Sequence, residues 1–274
     1  MKNNNKNFKD LSVLVTGADG GVGRAVCNML SNVGFTVIGI DRKFNDGIPD
    51  TVHKIICDLT DAESVSSAFD EVSKLTKNLH AVIHTAGIYD LDSLLEIDEE
   101  RFLRIFNVNL FGVYRVNKTF LPLMSKGSRI IITSSELAPL DPLPFTGIYA
   151  VTKSALEKYA YSLRMETNLL GIFVSVIRPG AIKTTLLGDS TAALDRFCKE
   201  TTLYPCNAKR FKDIVNRVEA RNIKPERIAK LTLKILSAKR PPYLRSVNRN
   251  PLLRLLSILP KRLQNFVIKT ILKP

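Results

Sequence analysis

Tryptophan is absent from this 274-residue chain, and its three histidines (His53, His80 and His84) have no metal-ligand spacing. The four cysteines, Cys27, Cys57, Cys198 and Cys206, form no C-x-x-C pair. A zinc knuckle or a thioredoxin-like motif is therefore not expected, and reduced thiols in a cytoplasmic protein are. No apolar run approaches the ~20 residues of a spanning helix. The polar Asn/Lys-rich stretch 1–10 carries no apolar signal segment. Zinc-finger spacings, RNA-recognition signatures and long basic runs are also missing. The net charge of +14 then points to anionic ligands or an anionic membrane surface, with no nucleic acid expected as a partner. Acid is what the C-terminal stretch lacks: residues 239–274 hold nine Lys or Arg and no Asp or Glu.

The residues that are present alternate between strand and helix patterns, which predicts a doubly wound α/β fold with a parallel sheet. Leu11–Val15 reads as a buried strand. A glycine-rich turn, Thr16-Gly17-Ala18-Asp19-Gly20-Gly21-Val22-Gly23, and an amphipathic helix to about Asn32 follow it. Glycines let a backbone approach a pyrophosphate, and a helix N-terminus offers free N–H groups and a positive dipole end. Further strands are predicted at 36–40, 53–57, 81–84, 129–133 and 173–177, with a last edge strand within 242–247. Helices are predicted at 61–74, 98–124, 149–169 and 225–237.

The stretch Tyr149-Ala150-Val151-Thr152-Lys153 opens one of those helices. Positions four apart lie on one helix face, so the phenol and the ammonium can point into one site. A free phenol has a pKa near ~10, and a neighbouring cation lowers it toward a useful acid–base range.

The T-G-x-x-x-G-x-G turn together with Y-x-x-x-K resembles the short-chain dehydrogenase/reductase family over about residues 10–238. The resemblance implies a Rossmann-like domain over 11–238, with a helical substrate lid at about 185–222 and a basic amphipathic extension at 239–274. It implies Asn109 (in N-L-x-G), Ser135, Tyr149 and Lys153 as a catalytic tetrad. In the family, the asparagine positions a water that reaches the lysine, and the serine bonds the reacting oxygen. Ser135 precedes Tyr149 by 14 residues, one more than a common family spacing, and Ser134 is the fallback. The implied cofactor contacts are Gly17, Asp19, Gly21, Val22 and Gly23 in the turn, Asp41 and Arg42 after the second strand, Asp58 and Leu59 after the third, and Ala86 and Gly87 after the fourth. Tyr149 and Lys153, then Pro179, Gly180, Ile182 and Thr184 in P-G-x-x-x-T, complete that set. Asp58 also suits an acceptor at the start of the following helix. His84-Thr85 stand where the family usually has two asparagines, and His84 reads as a structural histidine.

An acid at Asp41 can accept from a ribose and repel a 2′-phosphate, which favours NAD. Arg42 dissents, since a guanidinium suits a phosphate, so NADP stays open. The expected activity is an NAD(P)-dependent interconversion of a secondary alcohol and a ketone on a lipophilic substrate such as a hydroxysteroid. The alternatives are a 3-oxoacyl-thioester reductase and a non-catalytic NAD(H)-binding protein of the membrane surface. Leu186, Leu187, Leu194, Phe197, Leu203, Tyr204 and Phe211 are candidates for pocket lining or lid core. Lys209, Arg210 and Lys212 read as a solvated face. In the tail, Leu252, Leu255, Leu256 and Leu259, then Leu263, Phe266, Val267 and Ile271, have helical spacing. A basic amphipathic helix suits the inner face of an anionic membrane, and packing on the core is the competing reading. Family members are commonly dimers or tetramers, so a homo-oligomer is expected.

Overall fold

The computed structural model describes residues 8–273. Most of the polar stretch 1–10 and the side chains of 185–187 and 189 lie outside the described residues, and with them the pocket candidates Leu186 and Leu187. The elements run β1 (Ser12–Thr16), α1 (Gly21–Asn32), β2 (Thr36–Asp41), β3 (His53–Ile56), α2 (Ala62–Leu75), β4 (Leu79–His84), α3 (Glu99–Phe106), α4 (Gly112–Phe120), β5 (Met124–Thr133), α5 (Gly147–Leu169), β6 (Phe173–Pro179), α6 (Thr185–Glu200), α7 (Pro205–Glu219), α8 (Glu226–Ser237), β7 (Leu244–Val247), α9 (Pro251–Ile258) and α10 (Lys261–Leu272).

The strands form one seven-stranded sheet in the order β3-β2-β1-β4-β5-β6-β7, parallel throughout. Alternate residues of a strand face opposite sides. Val13 and Val15 of β1 accordingly join a core with Val26, Leu30, Ile228 and Ile235 of α1 and α8. Leu14 between them joins Val65, Val72 and Val116 of α2 and α4 on the other face. The strand order reverses between β1 and β4. In open sheets of this kind, ligands bind beyond the carboxyl ends of the strands at such a reversal.

The helix expected over 98–124 ends at Phe120, because Pro122 cannot continue it; a short 3-10 turn leads into β5. Between α3 and α4 the helix widens into a π turn at Asn107–Phe111. Such turns re-aim side chains and recur at functional sites. The segment assigned to the basic extension contributes β7, which completes the sheet.

The region expected as a lid folds as α6 and α7. Leu194 and Phe197 are buried in its own core, Tyr204 packs against them, and Leu203 is exposed. Phe145 ties that core to the loop before α5: its ring lies 4.7 Å from Phe197, 5.1 Å from Tyr204 and 5.3 Å from Phe211. Phe145 holds φ at +64°, a strained conformation for a bulky residue that the surrounding rings must hold in place. Glu96 fastens the α6–α7 turn, accepting from Thr201 Oγ1 at 2.6 Å and from the Thr202 and Leu203 N–H groups at 2.7 and 3.0 Å. Lys212 pairs with Asp195 rather than turning to the interior.

Candidate active site

The strand ends, α6 and α7 line a cavity of about 200 Å³. Of the residues expected to act, Ser135, Tyr149 and Lys153 line it. Of the expected cofactor contacts, Val22, Ala86, Gly87, Pro179, Gly180, Ile182 and Thr184 line it too.

Tyr149 and Lys153 sit one turn apart on α5, both buried. Lys153 Nζ lies 5.7 Å from the centre of the Tyr149 ring and donates to the Thr133 carbonyl at 3.3 Å. Burial pushes the Tyr149 phenol up to about 12, against a hydrogen bond with Ser135 that lowers it. In the chain alone, desolvation dominates over a cation that leans toward a backbone carbonyl. Burial in turn brings the Lys153 ammonium down to about 8, with Glu157 opposing.

Asn109 is fully buried in the π turn. Its Oδ1 accepts from Ile88 N at 2.9 Å, and its Nδ2 donates to the Ile88 carbonyl at 3.0 Å and to Thr152 Oγ1 at 3.2 Å. A Cβ on Gly87 would lie 3.3 Å from Asn109 Oδ1 and 3.4 Å from Lys153 Nζ. The two side chains thus share the Gly87 backbone as a neighbour. Asn109 itself does not line the cavity.

The glycine turn is a cradle without room for side chains. A Cβ on Gly17, whose φ is +66°, would stand 2.5 Å from Ala86 Cα; one on Gly21 would stand 2.6 Å from Thr184 Cγ2; one on Gly23 would stand 2.0 Å from the Gly17 carbonyl oxygen. Gly20 caps α1 with no side-chain hydrogen bond, which leaves the helix N-terminus to a ligand. These features fit a dinucleotide pyrophosphate. Gly23→Ala is expected to lower stability by about 1–3 kcal/mol and to weaken NAD(H) binding, read by thermal melting and calorimetric titration.

Asp41 supports the turn directly, with Oδ2 accepting from Asp19 N at 2.9 Å. The Asp19 carboxylate is engaged by Arg24 at 2.7 Å and by Asn45 Nδ2 at 2.6 Å, so its side chain braces the turn. Arg42 is exposed. Asp58 does not cap α2: Asp61 does, accepting from Glu63 N, while Asp58 binds Thr60 N and Oγ1 at 2.8 and 2.7 Å. The Leu59 side chain belongs to the core. Gly17, Asp19, Gly21, Gly23, Asp41, Arg42, Asp58 and Leu59 all lie outside the cavity lining, toward the β1–β3 end of the sheet. His84 is buried against Asn117 Oδ1 at 2.9 Å, and burial lowers its pKa to about 4. Thr85 Oγ1 donates to the Thr16 carbonyl at 2.7 Å, joining β4 to β1.

Sequence reading missed Tyr89, Glu136, Ser190 and Glu219, all of which line the cavity. Tyr89 packs edge-on against Tyr149 at 4.5 Å. Only the position of Glu136, immediately after Ser135, carried a local signal.

The short-chain dehydrogenase family model matches residues 12–195. A 3-ketodihydrosphingosine reductase of Bacteroides thetaiotaomicron is 27% identical over 263 residues, spanning 94% of this chain and 96% of that protein. Estradiol 17-beta-dehydrogenase 2 of Mus musculus is 32% identical over 208 residues, spanning 69% of this chain and 54% of that protein. Among solved structures, a short-chain dehydrogenase/reductase of Burkholderia phymatum in complex with NAD superposes with a TM-score of 0.73 at 20% identity, over 87% of this chain and 89% of that one. This chain belongs to the short-chain dehydrogenase family.

Proposed function

We propose that this protein interconverts a lipophilic secondary alcohol and its ketone, with NAD(H) preferred. The observation that carries the reading is the meeting of Tyr149, Ser135 and Lys153 in a cavity whose lid side is built from Phe211, Ile214, Val215 and Val218. Two hydroxyls and an ammonium facing an apolar wall suit a substrate with one oxygen to transform and a hydrocarbon body to bury. The two relatives above are named for a lipid ketone and a steroid, which agrees with that shape.

The nicotinamide ring supplies or accepts the hydride when the cofactor is bound. Gly17, Gly21, Val22 and Gly23 hold its pyrophosphate, Asp41 its adenosine ribose, and Pro179, Gly180, Ile182 and Thr184 its nicotinamide end. Ser135 hydrogen-bonds the substrate oxygen and stabilises charge developing there. Tyr149 gives that oxygen its proton in reduction and takes it back in oxidation. Lys153 places positive charge beside the phenol and holds the nicotinamide ribose. Asn109 fixes the Ile88 backbone behind it.

The test is a rate panel with NAD and NADP against hydroxysteroids, long-chain ketones and simple secondary alcohols. Absence of turnover across the panel, with NADH still bound, would overturn the enzymatic reading. NAD preference rests on Asp41. Asp41→Ala is expected to shift the ratio of kcat/KM for NAD over NADP at least about tenfold toward NADP, as loss of a charged hydrogen bond implies. An unchanged ratio would refute the ribose contact.

Two surfaces complete the proposal. Tyr161, Met165 and Leu169 on α5, with Phe111 of the π turn and Tyr114 of α4, are exposed; they suit burial against a second copy. The outer faces of α9 and α10 suit an anionic membrane.

A further inference from the structure

Pro179, Gly180 and Ile182, assigned above to the nicotinamide end of the cofactor, belong to a segment held from two directions. Ile223 pairs with it through the main chain: its N–H donates to the Ala181 carbonyl at 3.1 Å, and its carbonyl accepts from Lys183 N at 2.8 Å. The second partner is the turn after β7. Gly180 N donates to the Val247 carbonyl at 2.8 Å. A Cβ on Gly180 would lie 2.0 Å from the Asn248 carbonyl oxygen and 2.8 Å from Glu136 Oε1, so turn and segment meet backbone to backbone. Asn248 holds φ at +60°, a left-handed conformation that asparagine adopts more readily than most residues. From there its Nδ2 donates twice, to the Ala181 carbonyl at 3.1 Å and to the Arg221 carbonyl just past α7 at 2.7 Å. One side-chain amide thus ties the segment to the end of α7. Glu136, next to Ser135, closes the circuit. Its N–H donates to the Pro179 carbonyl at 2.8 Å, and its Oε2 accepts from Asn250 N at 2.6 Å.

A second cavity, of about 120 Å³, shares Glu136, Ala181 and Val218 with the first, and Arg221, Asn248 and Asn250 are among its other walls. Ala181 therefore borders two spaces. Where close packing is missing, the position of a backbone depends on its hydrogen bonds. We propose that Asn248 is a positioning residue for the nicotinamide end: by holding the Ala181 carbonyl to the end of α7, it sets where Gly180 and Ile182 meet the nicotinamide ring. The turn after β7, which the sequence places in a basic extension, is then a working part of the cofactor site. This deepens the oxidoreductase reading and rests on its assignment of residues 179–184.

The test compares NADH with ADP-ribose, which carries a hydroxyl in place of the nicotinamide ring, by calorimetric titration of the full chain. The unmodified protein is expected to bind NADH the more tightly. Asn248→Gly keeps the left-handed backbone accessible and removes only the side chain. It is expected to lower NADH affinity about tenfold, the scale of the lost hydrogen bonds, with ADP-ribose affinity unchanged. Asn248→Asp keeps the shape but sets a carboxylate against two carbonyls, and it should lose at least as much. KM for NADH should rise in step in both variants. Unaltered ADP-ribose binding shows that each variant is folded. NADH selectivity retained in either variant overturns the proposal, and so does a parallel fall in affinity for both ligands, which would mark a general structural role. Equal affinity of the unmodified protein for the two ligands overturns it without any variant. Turnover of a ketone with KM for NADH unmoved by Asn248→Gly would sink the positioning role and leave the oxidoreductase reading standing. Selectivity lost in both variants, with no ketone reduced by the unmodified protein, would support the positioning role and count against the reaction.

Discussion

Tyr149→Phe is expected to lower turnover by about a hundredfold to ten-thousandfold, the range for removing a general acid–base group, while NADH binding stays nearly unchanged. The hydroxyl is the only group removed, and the ring keeps its edge-on contact with Tyr89. The protein alone leaves the phenol protonated, because burial pushes it up to about 12. It is therefore ready to give a proton to a ketone oxygen; taking one from an alcohol requires further stabilisation of the phenolate by positive charge. Lys153, brought down to about 8 by burial, is still mostly charged at neutral pH and supplies part of it. The variant should consequently lose both directions, with KM for the cofactor little altered. Single-turnover reduction and oxidation, with NADH affinity measured in parallel, check this. Retained activity in either direction would refute the assignment of the tyrosine.

The sheet was legible because its strands are short runs rich in β-branched and aliphatic residues, the central ones buried on both faces, separated by turn residues. Even the edge strand β7 announced itself in Leu244–Val247. The glycine turn was legible for a different reason: three positions there tolerate no Cβ, and such a demand leaves a mark in sequence. The lid-side half of the cavity left none. Ser190, Glu219 and Tyr89 come together from α6, α7 and the loop after β4, and no local spacing connects them. Phe145 was equally silent, since its left-handed backbone is imposed by the three rings around it and not by its own preference. Helical spacing gives the phenol's proximity to Lys153 but says nothing about desolvation. Asp58 and Asp61 were confused because both are acceptors within reach of the same helix start, and only geometry separates them.

Replacing Leu255, Ile258 and Phe266 together with serine is expected to abolish binding to phosphatidylcholine vesicles containing phosphatidylserine and to leave the fold intact. Spacing alone predicted an apolar stripe of Leu263, Phe266, Val267 and Ile271 and left open whether core or membrane would cover it. The structure docks α10 through other residues: Gln264 and Leu272 are buried, Ile268 packs on the lid core, and Asn207 Nδ2 donates to the Leu272 carbonyl at 2.6 Å. Leu263, Phe266 and Ile271 remain exposed, Phe266 at 65%, as do Leu255 at 61% and Ile258 at 71% on α9. Around them Arg254, Lys261, Arg262, Lys269 and Lys273 are exposed as well, and no Asp or Glu occurs between 239 and 274. An apolar face ringed by cations matches an anionic bilayer surface, where each basic residue contributes about 1 kcal/mol and each buried large apolar side chain about 1.5–3 kcal/mol. Leu253 of α9 lines the cavity, so the same helix that would rest on lipid borders the candidate site. Point variants are the right instrument here, because truncation at Arg240 would also remove β7 and the Asn250 N–H that serves Glu136. Co-sedimentation should show binding that weakens with salt and is lost in the triple variant, with melting unchanged. Equal binding to vesicles of phosphatidylcholine alone would refute the electrostatic part, and undiminished binding by the triple variant would refute the membrane face itself.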